Sequence, residues 1–243
     1  MSGYSVFPVT GIPELGAGDD LAALIVERVD LEDADVVVVA QKAVSKVEGR
    51  VVYLDDFEPS PRAREIAGEE ADPRRIEAIL GEAKRVVRVR GPLVICETPQ
   101  GFICASAGVD ASNAPAPGML VLLPLDPDAS AVRLREELEE RTGRELGVIV
   151  TDSFGRPWRQ GTTDVAIGAA GVQVLQDLQG ARDPVGYELH ATVIAVADEI
   201  AGAAQLVSGK LNRVPVTIVR GLDLRGEGCA TDIPVPPERD LFR

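Results

Sequence analysis

One stretch of the chain decides the fold, residues 146–159, which read LGVIVTDSFGRPWR. Residues 146–150 are apolar or glycine, and we interpret them as a buried β-strand. We expect the strand to stop at Thr-Asp-Ser (151–153) and the chain to turn through Gly-Arg-Pro-Trp-Arg (155–159). A carboxylate, two hydroxyls, two guanidiniums and the only tryptophan would then lie at one strand end. Ligands bind at such strand ends in open α/β sheets, so we expect the functional site there.

Further strands and helices are predicted on both sides of this stretch. Strands are expected at residues 36–40 (VVVVA), 86–89, 93–97, 102–105, 120–124 and 214–220. Helices are expected at residues 21–29, in two pieces of residues 55–82 that break at Asp72-Pro73, from residue 128 to 141 with Gly143 closing the helix, and at residues 191–210. The pattern predicts a mixed α/β protein of the α+β class, with one domain over residues 1–243 and room for two subdomains.

The composition excludes several classes of protein. The chain has 243 residues, of which 45% are hydrophobic, yet no apolar run reaches the roughly 18 residues of a transmembrane helix. Lys and Arg number 25 against 39 Asp and Glu, and a net charge of −14 argues against non-specific binding to nucleic acid or anionic membranes. Three cysteines without CxxC spacing or a signal peptide predict a cytoplasmic protein, with Cys96 and Cys104 in the core.

Two common nucleotide-binding fingerprints are missing from the sequence. Residues 208–211 (SGKL) resemble the end of a P-loop, but Ala204 replaces the required first glycine. Leu211 replaces the Ser or Thr that would bind Mg²⁺, and no strand is followed by GxGxxG. Any nucleotide must therefore be bound in another way.

Two aspartates are candidate metal ligands, Asp110 in GVDASN (residues 108–113) and Asp152 in the Thr-Asp-Ser segment. Carboxylate and hydroxyl oxygens together suit Mg²⁺ or Mn²⁺. Each aspartate also has a structural interpretation, because Asp110 could cap a turn and Asp152 could cap a helix. From the residues alone both interpretations stay open.

Basic residues offer candidate anion sites. Lys42 and Lys46 are four residues apart after the VVVVA strand, where they could clamp a phosphate or lie in solvent at the start of a helix. Arg156 and Arg159 could bind phosphate or carboxylate, with Trp158 stacking on a planar ring, or all three could be surface residues.

Five motifs in order resemble a known family. They are GIP to GDDL (11–21), QKAVSKVEG (41–49), GVDASN (108–113), TDSFGRPWR (151–159), and ADEI through GK to PV (197–216). Together they resemble the coenzyme F420-0:L-glutamate ligase family, the γ-glutamyl ligases of coenzyme F420 biosynthesis. The resemblance extends over residues 11–242. Some members carry a further flavin-binding domain, and this chain, which stops at residues 240–243, is similar to the stand-alone ligase.

The resemblance implies an acid–amino-acid ligase (EC 6.3.2) with a γ-glutamyl ligase-like fold. The enzyme would use GTP to join L-glutamate to coenzyme F420-0 through an acyl phosphate, with an amide linkage first and a γ-glutamyl linkage next. It would need Mg²⁺ or Mn²⁺, two ions in all, and K⁺ assists some members. The resemblance also implies an intertwined homodimer.

The resemblance assigns roles to particular residues. The implied metal ligands are Asp110, Asp152, Ser153 and Gln205. Many relatives have an acidic residue where Gln205 stands, so we expect a more weakly bound second metal. The implied nucleotide contacts are Gly11, Ile12, Pro13, Glu14, Leu15, Gln41, Lys46, Asn113, Ala203, Ala204, Gln205 and Lys210. The implied catalytic residues are Lys46, Arg156 and Asp152.

The proposed chemistry fits these residues. Phosphoryl transfer needs positioning and charge neutralisation, which metal-bound carboxylates, Lys46 and an arginine would supply. We expect Arg156, Trp158 and Arg159 to bind the F420-0 acceptor. Two alternatives stay open: another metal-dependent phosphotransferase, such as a small-molecule kinase, and a non-catalytic nucleotide-binding protein.

Overall fold

A computed structural model describes residues 3–241 and shows a mixed α/β fold. The strands are β1 (Ser5–Val9), β2 (Val36–Ala40), β3 (Val51–Tyr53), β4 (Arg85–Arg90), β5 (Leu93–Glu97), β6 (Ile103–Ala105), β7 (Met119–Val121), β8 (Gly147–Arg156), β9 (Arg159–Ala170), β10 (Gln176–Asp177), β11 (Val193–Ile194) and β12 (Val216–Arg220). The α-helices are α1 (Leu21–Val26), α2 (Gln41–Val47), α3 (Pro61–Ala67), α4 (Pro73–Glu82), α5 (Pro127–Thr142) and α6 (Val196–Ser208).

The largest sheet has five strands in the order β1-β12-β2-β8-β9. Within it β2 and β8 are parallel, and the other neighbours are antiparallel. Where the two parallel strands pair, their residues are apolar or glycine as far as Thr151, as expected for a sheet whose two faces are covered. Ala40 at the carboxyl end of β2 pairs with Thr151 near the middle of β8, so the residues that follow Ala40 and Thr151 lie side by side.

Alternate residues of β2 and β8 enter two different cores. Val37 and Val39 pack into the core that includes residues of α1 and α5, whereas Val36 and Val38 pack into the core that includes residues of α6. Helix α5 lies so close to β9 that a Cβ on Gly168 would be 2.2 Å from the carbonyl oxygen of Pro127. The sheet is thus held between helices, and only its edges and strand ends are free to form a site.

A separate core lies under the sheet β4-β5-β6 and the helices α3 and α4. Cys96 and Cys104 face each other across β5 and β6 and are both buried, so the prediction of core thiols is confirmed. The division into subdomains stays a prediction, and so does the homodimer, since a single chain is described. Within residues 3–241 no helix has the length and apolar character needed to cross a membrane.

Several predicted elements are confirmed, including the strands at residues 36–40 and 93–97. The two helices α3 and α4 are separated where Asp72 caps the second, and Gly143 ends α5 in the left-handed conformation. Helix α5 begins at Pro127, one residue before its predicted start, and its cap is Asp126, which accepts the hydrogen bond from the Ala129 amide at 2.9 Å.

The prediction that the strand stops at residues 151–153 is wrong. Strand β8 continues to Arg156, turns at Pro157 and Trp158, and returns as the twelve-residue strand β9. The reason is a partner that the local sequence does not reveal, since β9 pairs with β8 along its whole outer half. The turn therefore begins five residues beyond Asp152.

The helix predicted at residues 191–210 is shorter than expected. Residues 193 and 194 form β11 instead, and α6 begins at Val196. Asp198 and Glu199 consequently lie in the first turn of α6 rather than at its middle. Negative charge in the first turn interacts favourably with the positive end of the helix dipole.

An ion pair joins the end of β12 to the loop before β2. The Arg220 guanidinium donates from Nε to Asp35 Oδ1 at 2.8 Å and from Nη2 to Asp35 Oδ2 at 2.7 Å. Asp35 is fully buried and also accepts the Glu32 amide at 2.8 Å. The guanidinium covers the Phe7 ring at 5.2 Å, so one side chain connects three neighbouring segments.

We predict that Arg220→Ala lowers the free energy of unfolding by about 3 kcal/mol, because it leaves the buried Asp35 charge without its partner. Urea denaturation followed by circular dichroism measures the change. Arg225→Ala is the matched control, since Arg225 pairs with exposed Asp223 and Glu145 and should barely move the midpoint. Equal shifts for the two variants would contradict the prediction.

Candidate functional site

A cleft of about 420 Å³ opens at the carboxyl end of β2, beside the middle of β8. Its walls come from the loop before α1, the start of α2, the turn at residues 113–115, the middle of the β8–β9 hairpin, and the end of α6 with the loop that follows. The cleft includes Asp152, beside which the sequence predicts a functional site, although β8 does not end there.

Most of the residues implied as nucleotide contacts line this cleft. They are Ile12, Pro13, Glu14, Leu15, Gln41, Lys46, Asn113, Gln205 and Lys210. Three others do not line it: Gly11, whose carbonyl accepts from Arg28 Nε at 2.9 Å, Ala203, and Ala204, which is buried against the core under α6. The Gln41 amide nitrogen is already used, since it donates to Ser45 Oγ and to the Leu122 carbonyl.

Among residues 3–241, four cationic side chains line the cleft, namely Lys42, Lys46, Lys210 and Arg213. Helix α2 begins directly after β2, and the spacing of four residues brings Lys42 and Lys46 to one face of it. Lys46 is 8% exposed and forms an ion pair with Glu14 across the cleft. This local positive charge suits a polyanionic ligand despite the acidic chain.

Asp110 is held by Lys42 and by its own turn. Lys42 Nζ lies 2.6 Å from Asp110 Oδ2 and 3.1 Å from Ser112 Oγ, and the Ser112 amide donates to Asp110 Oδ1 at 2.8 Å. Burial alone would raise the pKa of Asp110, but the hydrogen bonds from Lys42 and Ser112 lower it to about 2. Asp110 is thus charged and does cap a turn, and it does not itself line the cleft.

Asp152 differs from Asp110, because its pKa is raised rather than lowered. Burial raises the pKa of Asp152 to about 6, and the neighbouring Asp164 charge adds to the rise, whereas the Ser153 amide and the Lys42 and Lys210 charges oppose it. Burial also raises the pKa of Asp164. A cation placed beside these two carboxylates would favour their charged forms.

The oxygens in this wall suit a hard divalent cation. Asp152, Ser153, Asp164 and Gln205 offer carboxylate, hydroxyl and amide oxygens, which are the ligands that Mg²⁺ and Mn²⁺ prefer. In the part of the chain that is described, no group of three or more His, Cys, Asp or Glu side chains gathers as a metal site. A metal here would therefore need the neutral oxygens of Ser153 and Gln205 as well as carboxylates.

The predicted acceptor residues are not in the cleft. Arg156, Trp158 and Arg159 lie at the tip of the hairpin, where Trp158 is 82% exposed and Arg156 Nη2 donates to the Gln160 carbonyl at 3.3 Å. They were expected beside Asp152 because the strand was expected to end there. Their roles in catalysis and acceptor binding stay predictions.

Two cleft residues were missed from the sequence, Asp164 and Arg213. Asp164 is in the unrecognised strand β9, so its proximity to Ser153 could be found only from the hairpin register. Arg213 carried a weak signal, because it follows Lys210 closely in a loop between predicted elements.

The fold and the cleft define a mixed α/β protein that brings lysines and partly buried carboxylates together where the first of two parallel strands ends. A family model described as F420-0:Gamma-glutamyl ligase matches residues 11–221. The chain belongs to this family, so the resemblance seen in the sequence is confirmed. Residue 242, the last that the resemblance covers, lies outside the residues that the structure describes.

Curated relatives match over nearly the whole length. The chain is 46% identical to the Coenzyme F420:L-glutamate ligase of Methanopyrus kandleri, with 100% of both chains covered. It is 44% identical to the protein of the same name from Methanothermobacter thermautotrophicus, with 99% of each covered. For the Archaeoglobus fulgidus protein of that name the identity is 45%, over 98% of this chain and 96% of the relative.

We predict that Asp152→Asn stabilises the metal-free protein above about pH 6. A carboxyl whose pKa is higher in the folded than in the unfolded state favours folding while it is protonated, so the parent should lose stability as the pH rises from about 4 to about 6. The variant has no carboxyl at this position and should not lose stability over this pH range. Its free energy of unfolding should exceed that of the parent by up to about 3 kcal/mol at pH 8 and by little at pH 4.

Urea denaturation in EDTA from pH 4 to pH 8 measures this difference. Added Mn²⁺ should then stabilise the parent more than the variant, since a ligand that binds the folded state stabilises it. A difference between the two proteins that does not change with pH would contradict the raised pKa of Asp152.

Proposed function

We propose that this protein is a GTP-dependent ligase that adds L-glutamate to coenzyme F420-0 in coenzyme F420 biosynthesis. Family membership supports the reaction class, and the relatives carry the name Coenzyme F420:L-glutamate ligase. The observation that carries the proposal is the cleft in which Lys42 and Lys46 come together with Asp152, where β2 ends beside the middle of β8. Such a site suits a phosphate-bearing substrate and a divalent cation.

The cationic residues are suited to hold the nucleotide phosphates. Lys46 is nearly buried, where its ammonium interacts more strongly with phosphate than it would in water. Lys210 and Arg213 approach from the loop after α6, on another wall of the cleft. GTP is the nucleotide that the family resemblance implies, and the loop at residues 12–15 is available to contact it without a P-loop.

Asp152, Ser153 and Gln205 are the cleft residues that would hold Mg²⁺ or Mn²⁺, whereas Asp110, the other implied ligand, is bound by Lys42 and does not line the cleft. A bound divalent ion would neutralise phosphate charge and orient the transferring group. For two ions, Gln205 supplies a neutral oxygen in place of a carboxylate. The second ion should therefore bind more weakly than the first.

The reaction needs two steps and no protein nucleophile. A carboxylate oxygen of F420-0 attacks the γ-phosphorus of GTP, the bond to GDP breaks, and an acyl phosphate forms. The amine of glutamate then attacks the acyl carbon, phosphate leaves with the C–O electron pair, and the nitrogen loses its proton as the amide forms. Lys46 would neutralise the charge that develops on the phosphoryl group, and the cleft would hold the partners in line.

We predict that the protein, incubated with F420-0, GTP, Mn²⁺ and L-glutamate, yields a product heavier by at least one glutamyl residue, together with GDP and free phosphate. Mass spectrometry and a phosphate assay provide the measurement. Phosphate release should require both the acceptor and glutamate. A phosphorylated product that accumulates without amide formation would indicate a kinase, and GTP binding without turnover would indicate a non-catalytic protein.

We predict that Lys46→Ala weakens GTP binding about tenfold or more, because it removes a charge-assisted contact worth about 1.5–3 kcal/mol. Its partner Glu14 is largely exposed, so the variant leaves no buried charge. Calorimetry with GTP and separately with glutamate should show the loss for GTP only. Lys84→Ala, which removes an exposed lysine outside the cleft, is the control, and unchanged GTP affinity in Lys46→Ala would remove Lys46 from the site.

A further inference from the structure

Asp164 contacts two residues of the candidate metal site. It lies on β9 directly opposite Ser153 on β8. The Ser153 hydroxyl donates to Asp164 Oδ1 at 2.6 Å, and the Asp164 backbone amide donates to Gln205 Oε1 at 3.1 Å. The Asp164 side chain also lines the cleft, beside Asp152. One residue therefore connects the hairpin, the serine hydroxyl and the glutamine amide.

These hydrogen bonds decide which atoms of Ser153 and Gln205 can bind a cation. A hydroxyl can bind a cation only through a lone pair, so its proton must point elsewhere. Asp164 accepts that proton and thereby fixes the direction of the free lone pairs of Ser153 Oγ. The Asp164 amide requires an acceptor, which assigns the oxygen of the Gln205 side chain, rather than its nitrogen, to this side. A second lone pair of that oxygen stays available.

We propose that Asp164 is a positioning residue, which through Ser153 and Gln205 presents two neutral oxygens to a divalent cation beside Asp152. This inference rests on the metal site of the proposed function and deepens it. Groups in the second layer around a metal orient its ligands in this manner, and a charged acceptor also makes the hydroxyl oxygen a better donor of electron density.

A purely structural role would not account for the placement of Asp164. The β8–β9 ladder is made by backbone groups and does not require a carboxylate at this position. Two carboxylates in one wall repel each other, and the charges of Lys42 and Lys210 offset this only in part, so the pair is unfavourable for folding alone. Asp198 provides the contrast, since its carboxylate accepts the Ala166 amide of the same strand at 2.9 Å and does not line the cleft.

The test is direct measurement of Mn²⁺ binding by electron paramagnetic resonance, with the full chain, a GTP analogue that cannot transfer phosphate, and no acceptor. We expect Asp164→Ala to weaken Mn²⁺ binding about 10- to 100-fold. Asp164→Asn keeps an oxygen acceptor without the charge and should recover part of the loss. Asp198→Ala is the control, since Asp198 is an aspartate of α6 whose carboxylate accepts a backbone amide of the same strand; it should change thermal stability but leave Mn²⁺ affinity unchanged.

A double-mutant cycle with Ser153→Ala separates positioning from independent ligation. If Asp164 acts through Ser153, the double variant should lose less affinity than the product of the two single losses. Parent-like Mn²⁺ binding by Asp164→Ala, or fully multiplicative losses, would overturn the inference and leave the proposed function standing. A parent protein that binds no Mn²⁺ would overturn the metal site itself. Should Asp164→Ala fail to fold, the same cycle with Asp164→Asn decides.

Discussion

The parallel pairing of β2 with β8 is the constraint on which the rest of the structure depends. It runs from Val36 opposite Gly147 to Ala40 opposite Thr151. The paired residues are apolar or glycine apart from Thr151, so a shift of one residue would exchange the side chains that enter the two cores. Because the register is fixed in this way, the residues that follow Ala40 come to lie beside those that follow Thr151. Lys42 and Asp152 thus share a cleft although they are far apart in sequence.

The β8–β9 hairpin has two irregularities in its register, and they help to position the side chains of the cleft. The pairing shifts between Val150 and Thr151, where one extra residue of β9 is accommodated, and again between Gly155 and Arg156 near the tip. The Asp198 carboxylate holds the Ala166 amide beside the first shift. Irregular pairing of this kind increases twist and redirects side chains next to functional sites. Here it is the register that brings Asp164 opposite Ser153.

Local patterns in the sequence predict β2 and the inner half of β8, but not the hairpin that β8 forms with β9. The apolar runs identify β2 and the inner half of β8, and their strand ends identify Lys42, Lys46 and Asp152. The segment at residues 151–159 looks like a turn because it is polar and contains glycine and proline. Even with the turn known at Pro157 and Trp158, counting outward from the pair Arg156 and Arg159 would place Thr162, not Asp164, opposite Ser153. The ion pair of Asp35 with Arg220 joins residues 185 apart, and no local pattern reveals it.

The cleft also shows why a functional site conflicts with stability. Asp152 and Asp164 are partly buried near each other, and burial raises the pKa of both, so ionising them in the empty cleft is unfavourable. Lys42 relieves part of this cost through its charge, yet its direct hydrogen bonds go to Asp110 and Ser112. A site optimised only for folding would place the lysine against Asp152 or replace one carboxylate. The arrangement instead leaves negative charge unneutralised at one wall and positive charge gathered at another, as expected where a cation and an anionic substrate bind together.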